Sequence, residues 1–167
     1  MNNKIYLTDE GLNEYRKEIK ILNDKLAEIQ KMKSEACSGA VGDGWHDNFA
    51  YEDAKRQEDA IVTQIKDLGD KSKYIEIITN DIKDQNIINL NDILKVEFTY
   101  EDGTKDEEII KLTGNWKSRE YDEFQEVTLN SPIGKNIYGK DIKDIIEYSV
   151  NEKKIIVKVI EKINEIM

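Results

Sequence analysis

Apolar residues recur along the N-terminal part of the chain at alternating spacings of three and four. The row consists of Leu12, Tyr15, Ile19, Leu22, Leu26 and Ile29, and Met32 and Ala36 continue it less strictly. This heptad pattern requires a partner helix along its length. Thr8 is suited to cap the free amides at the helix start, and Asp9 and Glu10 suit the positive end of the helix dipole. We therefore predict a helix over residues 8–36.

A second amphipathic stretch follows a break in which three glycines fall within residues 39–44 and remove helix propensity. Its apolar positions are Phe49, Tyr51, Ala54, Ile61, Ile65 and Leu68, with Ile75 at the margin. Residues 8–36 and 47–74 are therefore predicted to pair as an antiparallel coiled-coil hairpin with arms about 42 Å long. An intermolecular coiled coil would use the same seam, but a partner of similar length in the same chain favours the hairpin.

The hydrophobic period changes to two in the C-terminal half. Residues 80–91 are rich in Asn and Asp and read as a connection, which divides the chain into domains 1–79 and 80–167. Strands are predicted over residues 93–100, 105–112, 126–130, 145–150 and 153–163, with a turn at 101–104. Ser131 is suited to cap a short helix from Pro132 to about Gly139. The predicted fold is α+β, a helical hairpin followed by a small antiparallel β domain with one helix.

Composition narrows the function classes. The 167 residues include 36% charged and 38% hydrophobic residues, and 25 basic against 35 acidic side chains give a net charge of -10. This length excludes a large multidomain enzyme, and the charge opposes unaided binding to free DNA or an anionic membrane. Neither a signal peptide nor a stretch of about 18 apolar residues is visible, so we expect a cytoplasmic protein without a membrane partner.

The single cysteine, Cys37, excludes an internal disulfide, and the Cys and His spacing of a structural zinc site is absent. His46 is the one histidine near enough in sequence to serve Cys37 as a base, but no third group that would orient it is apparent. We therefore favour a small reduced residue near a helix end over a nucleophile.

The break between the predicted helices concentrates polar chemistry. Asp43, His46, Asp47 and Asn48 fall within seven residues, together with Trp45. Carboxylate oxygens suit Mg²⁺, but two carboxylates hold it weakly unless a second macromolecule supplies further ligands. Ordinary turn formation and helix capping also explain the two aspartates. His46 is equally explained as an exposed polar loop residue. Trp45 is suited either to cover the end of the apolar seam or to insert into a partner.

Basic side chains lie within two or three helical turns of this acidic segment. They are Lys31, Lys33, Lys55 and Arg56. Such a patch suits an RNA phosphate backbone, while intrahelical charge pairs on a solvated face explain the same residues.

Two ordered signatures lie in the two predicted domains. The N-terminal signature comprises Tyr6-Leu7-Thr8, Gly11-Leu12, Gly42-Asp43, Asp47-Asn48 and Tyr51. The C-terminal signature is Val127-Thr128-Leu129-Asn130-Ser131-Pro132-Ile133-Gly134, with Ile137 and Gly139-Lys140. Together they resemble the Gre family of bacterial transcript-cleavage factors over nearly the whole chain.

The resemblance implies a C-terminal domain of FK506-binding-protein-like fold that docks on RNA polymerase. The hairpin tip of such factors enters the polymerase secondary channel, where its acids help to hold a second Mg²⁺ and the polymerase hydrolyses its own backtracked RNA. Asp43 and Asp47 take the acidic positions, and Lys55 takes a basic position that faces the nascent RNA 3′ end.

The same resemblance implies a protein that is not itself an enzyme, with no tightly bound cofactor, and we expect a monomer. Ser131, Pro132, Ile133 and Gly139 belong to the family's C-terminal signature and are expected to serve the fold or polymerase docking.

This sequence departs from the family at the tip. Gly44, Trp45 and His46 separate the two acids, whereas the family usually has two intervening residues and a longer second acid. A regulator that occupies the channel without stimulating cleavage is therefore the alternative function. A coiled-coil scaffold unrelated to transcription and a peptidyl-prolyl isomerase are further alternatives, and the second has no visible aromatic proline pocket in the sequence.

Overall fold

A computed structural model describes residues 4–38, 49–79 and 84–163. In chain order the elements are β1 (Ile5–Leu7), α1 (Asp9–Ser38), α2 (Phe49–Ser72), β2 (Ile75–Ile77), β3 (Ile93–Tyr100), β4 (Lys105–Thr113), β5 (Gln125–Thr128), α3 (Pro132–Ile137), β6 (Ile145–Val150) and β7 (Lys153–Ile163). The chain divides into two compact units. The helical unit contains the described residues from 13 to 75, and the β unit contains residues 4–12 with the described residues from 76 onward.

The two long helices of the helical unit pair in opposite directions. The Tyr15 hydroxyl, early in α1, donates a hydrogen bond to the Leu68 carbonyl, late in α2. Lys33, late in α1, forms an ion pair with Glu58, which lies nearer the start of α2. Residue numbers thus rise along one helix as they fall along the other, and the predicted antiparallel hairpin is confirmed. Supercoiling of the pair stays a prediction.

The seam between these helices differs from the predicted apolar row at two positions. Met32 is 61% exposed and Phe49 is 84% exposed. A heptad step from the buried Ile29 leads to Lys33 rather than Met32, and Phe49 precedes Tyr51 by two residues, which turns it about 200° away. Lys33 instead continues the seam on α1 and pairs with Glu58 on α2, and their side chains are 28% and 17% exposed.

A five-stranded sheet forms the centre of the β unit, with strand order β5-β4-β3-β7-β6. The pairs β3–β4, β3–β7 and β6–β7 are antiparallel, in agreement with the predicted antiparallel β domain. The pair β4–β5 is parallel, so the sheet is mixed rather than purely antiparallel. The core contains Leu94, Val96, Phe98, Ile110, Leu112, Val127, Ile137, Ile146, Val157 and Val159, among others.

Two features of the β unit carry no clear signal in the sequence. Strands β1 and β2 form a separate two-stranded sheet, and each has only three residues. The predicted polar connection also contributes to the core, because Ile88 is fully buried and Leu90 is 2% exposed. Single apolar residues among asparagines are too sparse to define a period.

A close backbone contact joins the start of α1 to the loop after β4. The Thr8 amide donates to the Gly114 carbonyl at 3.0 Å, and the Thr8 hydroxyl accepts from the Gly11 amide at 3.2 Å. Thr8 therefore caps α1 as predicted. A Cβ on Gly11 would lie 2.0 Å from the Gly114 carbonyl oxygen, so only glycine permits this approach.

Asn130 holds β1 to the β unit with its side-chain amide. Its Oδ1 accepts from the Tyr6 amide and its Nδ2 donates to the Tyr6 carbonyl, both at 2.9 Å. The side chain therefore pairs with Tyr6 as a neighbouring strand would. The Asn130 position of the C-terminal signature and the Tyr6 position of the N-terminal signature thus meet in the structure.

Asn130→Leu should lower the free energy of unfolding by about 2 kcal/mol, because it leaves the part-buried Tyr6 amide and carbonyl without these partners. Thermal unfolding monitored by circular dichroism measures the effect. Asn136→Leu is the matched control, since it removes one exposed bond to the Pro132 carbonyl and should change stability by less than about 0.5 kcal/mol. Equal melting temperatures for the two variants would contradict the assigned role of Asn130.

No helix within residues 4–38, 49–79 and 84–163 combines the length and the apolar character needed to span a membrane.

Candidate functional site

The predicted acidic site lies on the connection between α1 and α2. Helix α1 ends at Ser38 and α2 begins at Phe49, so residues 39–48 join them. The site residues on this connection, which are Asp43, Trp45, His46, Asp47 and Asn48, lie outside the described residues. The structure therefore defines the two helix ends that bracket the acids.

Three of the four predicted basic residues lie on exposed helix faces near these ends. Lys31 is 3.9 Å from Glu35, one turn along α1, and its side chain is 80% exposed. Arg56 is 3.3 Å from Asp53 on α2 and is 76% exposed. Lys55 is also exposed. Exposed pairs of this kind are weak, so these cations can change partners at little cost. Their RNA-facing role stays a prediction.

Lys33, the fourth basic residue, has a different environment. Its Nζ lies 2.5 Å from Glu58 Oε2 and 5.7 Å from the centre of the Tyr51 ring. Gln30 Nε2 donates to the other carboxylate oxygen, Glu58 Oε1, at 3.1 Å. Both oxygens of Glu58 therefore accept hydrogen bonds from α1. Lys33 serves the contact between the helices rather than an exposed basic patch.

The charges of this pair are mutually stabilised. The hydrogen bond from Lys33, followed by that from Gln30, lowers the pKa of Glu58. The hydrogen bond to Glu58 raises the pKa of Lys33. A lowered carboxyl pKa gives a contribution that is lost as pH falls through it, and a raised lysine pKa gives one that is lost as pH rises through it. The pair is thus charged on both sides of neutral pH.

Sequence reasoning missed Glu58 and Gln30, although the spacing contained the signal. Glu58 lies four residues after the buried Ala54 and three before Ile61, so it occupies the heptad position between them. Its charge excluded it from a search restricted to apolar residues.

Residues of the C-terminal signature serve the fold of the β unit. The Ser131 hydroxyl accepts from the Gly134 amide at 3.0 Å and caps α3, and Pro132 is the first residue of that helix. Ile133 is partly buried against the core. Gly139 follows the helix with a φ of 74° and donates its amide to the Ile88 carbonyl at 2.9 Å. Docking by these residues stays a prediction.

Among the described residues, no group of three or more His, Cys, Asp or Glu side chains is arranged to hold a metal ion. Cys37 is an exposed free thiol in the last turn of α1, near the helix end that the sequence predicts.

These elements define a two-unit α+β protein with an antiparallel helical hairpin and a mixed β-sheet domain. No family model matches the chain. Transcription elongation factor GreA of Chlorobium phaeobacteroides (strain BS1) is 27% identical, with 96% of this chain and 98% of the relative covered. Transcription elongation factor GreA of Chloroherpeton thalassium is 29% identical, with 90% of each chain covered. The resemblance to the Gre family is thus confirmed over nearly the whole chain.

A solved structure of GreA factor homolog 1 (Gfh1) from Thermus thermophilus is also similar. It is 18% identical, with 96% of this chain and 99% of that chain covered, at a TM-score of 0.41. Because this TM-score is low, the family resemblance rests on the sequence relatives.

Proposed function

We propose that this protein is a cytoplasmic transcription elongation factor that binds RNA polymerase through the secondary channel and stimulates cleavage of backtracked RNA. The observation that carries the proposal is the match to relatives named transcription elongation factor GreA over 90% or more of the chain. The match includes both the hairpin and the β unit. It therefore supports a mode of action that this protein shares with these relatives, and not only one domain in common.

The hairpin gives this proposal a physical basis. Helix α1 has 30 residues and α2 has 24, which correspond to lengths of about 45 Å and 36 Å at 1.5 Å per residue. Residues 39–48, which include Asp43 and Asp47, join the ends of these helices. A two-helix arm of this length is suited to reach a buried catalytic centre in a large partner.

In this proposal the protein supplies ligands and the polymerase supplies the active site. Asp43 and Asp47 add carboxylate oxygens to a Mg²⁺ that the polymerase and the RNA phosphate also coordinate. The ion assists attack of water on the RNA backbone when it is bound there. Lys31, Lys55 and Arg56 offer exposed positive charge to the RNA 3′ end, and the protein acts as a monomer without a tightly bound cofactor.

The altered spacing of the acids favours a second candidate, a channel-occupying regulator that slows the polymerase without stimulating cleavage. Gly44, Trp45 and His46 lie between Asp43 and Asp47, and one residue more than the family pattern is enough to misplace a metal-binding carboxylate.

A transcript-cleavage assay on stalled, backtracked elongation complexes, with Mg²⁺ titrated, tests the two candidates. A cleavage factor should shorten the RNA faster and lower the Mg²⁺ concentration needed for half-maximal cleavage. The regulator should leave cleavage unchanged but slow nucleotide addition on complexes that are not backtracked. Failure to co-purify with core RNA polymerase would reject both candidates and leave the scaffold alternative.

A further inference from the structure

The sheet of the β unit has two carboxylates on the same side as its core. Asp106 lies opposite Phe98, and Glu108 lies opposite Val96, in the antiparallel pair β3–β4. Residues that lie directly opposite each other project from the same face of a sheet. Because Val96 and Phe98 are buried in the core, these two core-side acids project from the face that normally carries apolar residues. Both acids are exposed, so the core side of the sheet is open to solvent at this end.

Three aromatic side chains lie on the same side of the sheet as the core-side acids. The rings of Phe98 and Tyr100 stack with their centroids 6.5 Å apart and an angle of 20° between their planes. Tyr100 of β3 and Tyr148 of β6 lie opposite the same β7 residue, Ile155. Both tyrosines are half-buried against the core. The three rings therefore extend the apolar core face toward the solvent.

The tyrosine hydroxyls lie within electrostatic reach of the core-side acids. Burial, followed by the negative charges of Asp106 and Glu108, raises the pKa of Tyr100. Burial, followed by the neighbouring Tyr100 and by Glu108, raises the pKa of Tyr148. Both phenols therefore stay protonated at neutral pH, and the negative charge of this surface comes from the two carboxylates.

A cavity of about 210 Å³ adjoins this surface. Its lining includes Phe98, Glu108 and Tyr148 from the sheet. Ser131 and Ile133, at the start of α3, line it from the other side. Binding sites are typically concave and mostly apolar, with a few polar groups that orient the ligand. This cavity has that composition, and its volume suits a single side chain rather than a folded segment.

The acids on the opposite face of the same strands are neutralised within the protein. Glu97 forms an ion pair with Lys105 at 2.9 Å, and Glu107 forms one with Lys95 at 2.7 Å. Neither of the core-side acids forms an ion pair with any residue that the structure describes. The cavity entrance therefore carries negative charge that a positively charged occupant would complement.

Lysine and arginine combine the two properties that this cavity requires. Their aliphatic stems pack on apolar and aromatic walls, while their charged heads reach carboxylates at the rim. A cation over the face of a tyrosine or phenylalanine ring gains further stabilisation. A proline or a purely apolar side chain would cover the rings as well, but it would bring the two carboxylates next to an apolar group without a partner.

We propose that Asp106, Glu108, Phe98, Tyr100 and Tyr148 form a docking site for one lysine or arginine side chain, and that RNA polymerase supplies this side chain. The choice of polymerase rests on the proposed function, whereas the chemistry of the site does not. Since residues of the C-terminal signature line the same cavity, the site also gives a location for the docking that the signature predicts.

Fluorine NMR of protein labelled with 3-fluorotyrosine measures binding at this site without the polymerase. The probe is the peptide acetyl-Leu-Lys-Leu-amide, and the Tyr100 and Tyr148 resonances are assigned through Tyr100→Phe and Tyr148→Phe. The lysine peptide should shift both resonances saturably. It should bind at least about fivefold more tightly than acetyl-Leu-norleucine-Leu-amide, which has the same stem without the charge, and high salt should reduce the difference.

Equal or tighter binding of the norleucine peptide would overturn the proposal. A preference for acetyl-Leu-Pro-Leu-amide would also overturn it and would indicate a proline site, and so would the absence of any saturable shift with the lysine peptide.

Two double variants test the role of the carboxylates. Asp106→Asn/Glu108→Gln should weaken binding of the lysine peptide at least about fivefold, and Glu108→Gln alone should give a smaller loss in the same direction. Glu97→Gln/Glu107→Gln is the matched control, because it removes two charges from the opposite face of the same strands. It should leave the affinity within about twofold of the parent value. Equal losses in the two double variants would indicate a general charge effect and overturn the site.

Competition binding to core RNA polymerase then tests the source of the side chain. Asp106→Asn/Glu108→Gln should bind the polymerase at least about fivefold more weakly than the parent protein, and the matched control should bind within about twofold of it. If the parent protein does not bind the polymerase, the proposed function fails and the peptide measurements still decide the chemistry of the site. Equal binding of the parent protein and the Asp106/Glu108 variant would overturn the polymerase as the partner at this site.

Discussion

Asp43→Asn combined with Asp47→Asn should reduce stimulated transcript cleavage by about a hundredfold while leaving affinity for RNA polymerase close to that of the parent protein. Asn keeps the size of Asp but replaces one carboxylate oxygen with an NH₂ donor and removes the negative charge that Mg²⁺ prefers in its ligands. Loss of two to three kcal/mol of transition-state stabilisation corresponds to this factor, since each 1.36 kcal/mol is tenfold in rate.

The measurement is the single-turnover rate of RNA shortening at saturating protein, with affinity determined separately by competition. Excess Mg²⁺ should recover part of the activity if the acids act by holding the ion. Asp24→Asn/Asp67→Asn provides the control, because it removes the same charge from exposed positions within α1 and α2, away from residues 39–48. Unchanged cleavage by the Asp43/Asp47 variant would reject the assigned role of these acids.

Gly134→Ala should destabilise the β unit by about 3 kcal/mol, a large effect for a single added methyl group. A Cβ at this position would lie 2.1 Å from the Thr128 carbonyl oxygen and 3.0 Å from the Leu129 Cα. Both neighbours are backbone atoms beside β5, whose pairing with β4 opposes their movement. For a domain of this size the melting temperature should fall by about 10–20 °C.

Gly69→Ala is the matched control and should act in the opposite direction. Gly69 lies within α2, and a Cβ there meets nothing within 4 Å. Alanine should therefore stabilise the helix by about 0.5–1 kcal/mol through its higher propensity. Calorimetry of the two variants in parallel distinguishes steric exclusion at Gly134 from a general response to glycine replacement. If Gly134→Ala is as stable as the parent protein or more stable, the start of α3 can move away from Thr128 and the predicted steric exclusion is wrong.

Long periodic segments were predictable from the sequence. Strands β3, β6 and β7 have the predicted bounds because alternation over six or more residues leaves few alternatives. The parallel pairing of β5 was not predictable, since alternation identifies a strand without giving its direction. Strands β1 and β2 were missed because three residues are too few for any period.

At the candidate site, the sequence predicted the helices that bracket residues 39–48 but not all of their contacts. Phe49 was placed in the seam on hydrophobicity alone, although its spacing from Tyr51 directs it to solvent. Lys33 was assigned to a basic surface on charge alone, although its spacing from Ile29 directs it to Glu58. In both cases the spacing along the helix, rather than the residue type, determines the environment of the side chain, because the position on the helix determines what the side chain can reach.

The pairing of Asn130 with Tyr6 has a consequence for how this protein can be divided. A fragment that starts at residue 76 would include every strand of the large sheet but would lack Leu7, which is fully buried, and the Tyr6 backbone that bonds to Asn130. Such a fragment would expose the part of the β core against which Tyr6 packs. Hybrids between this protein and its relatives should therefore exchange residues 13–75 as an insert and keep residues 4–12 with the parent β unit.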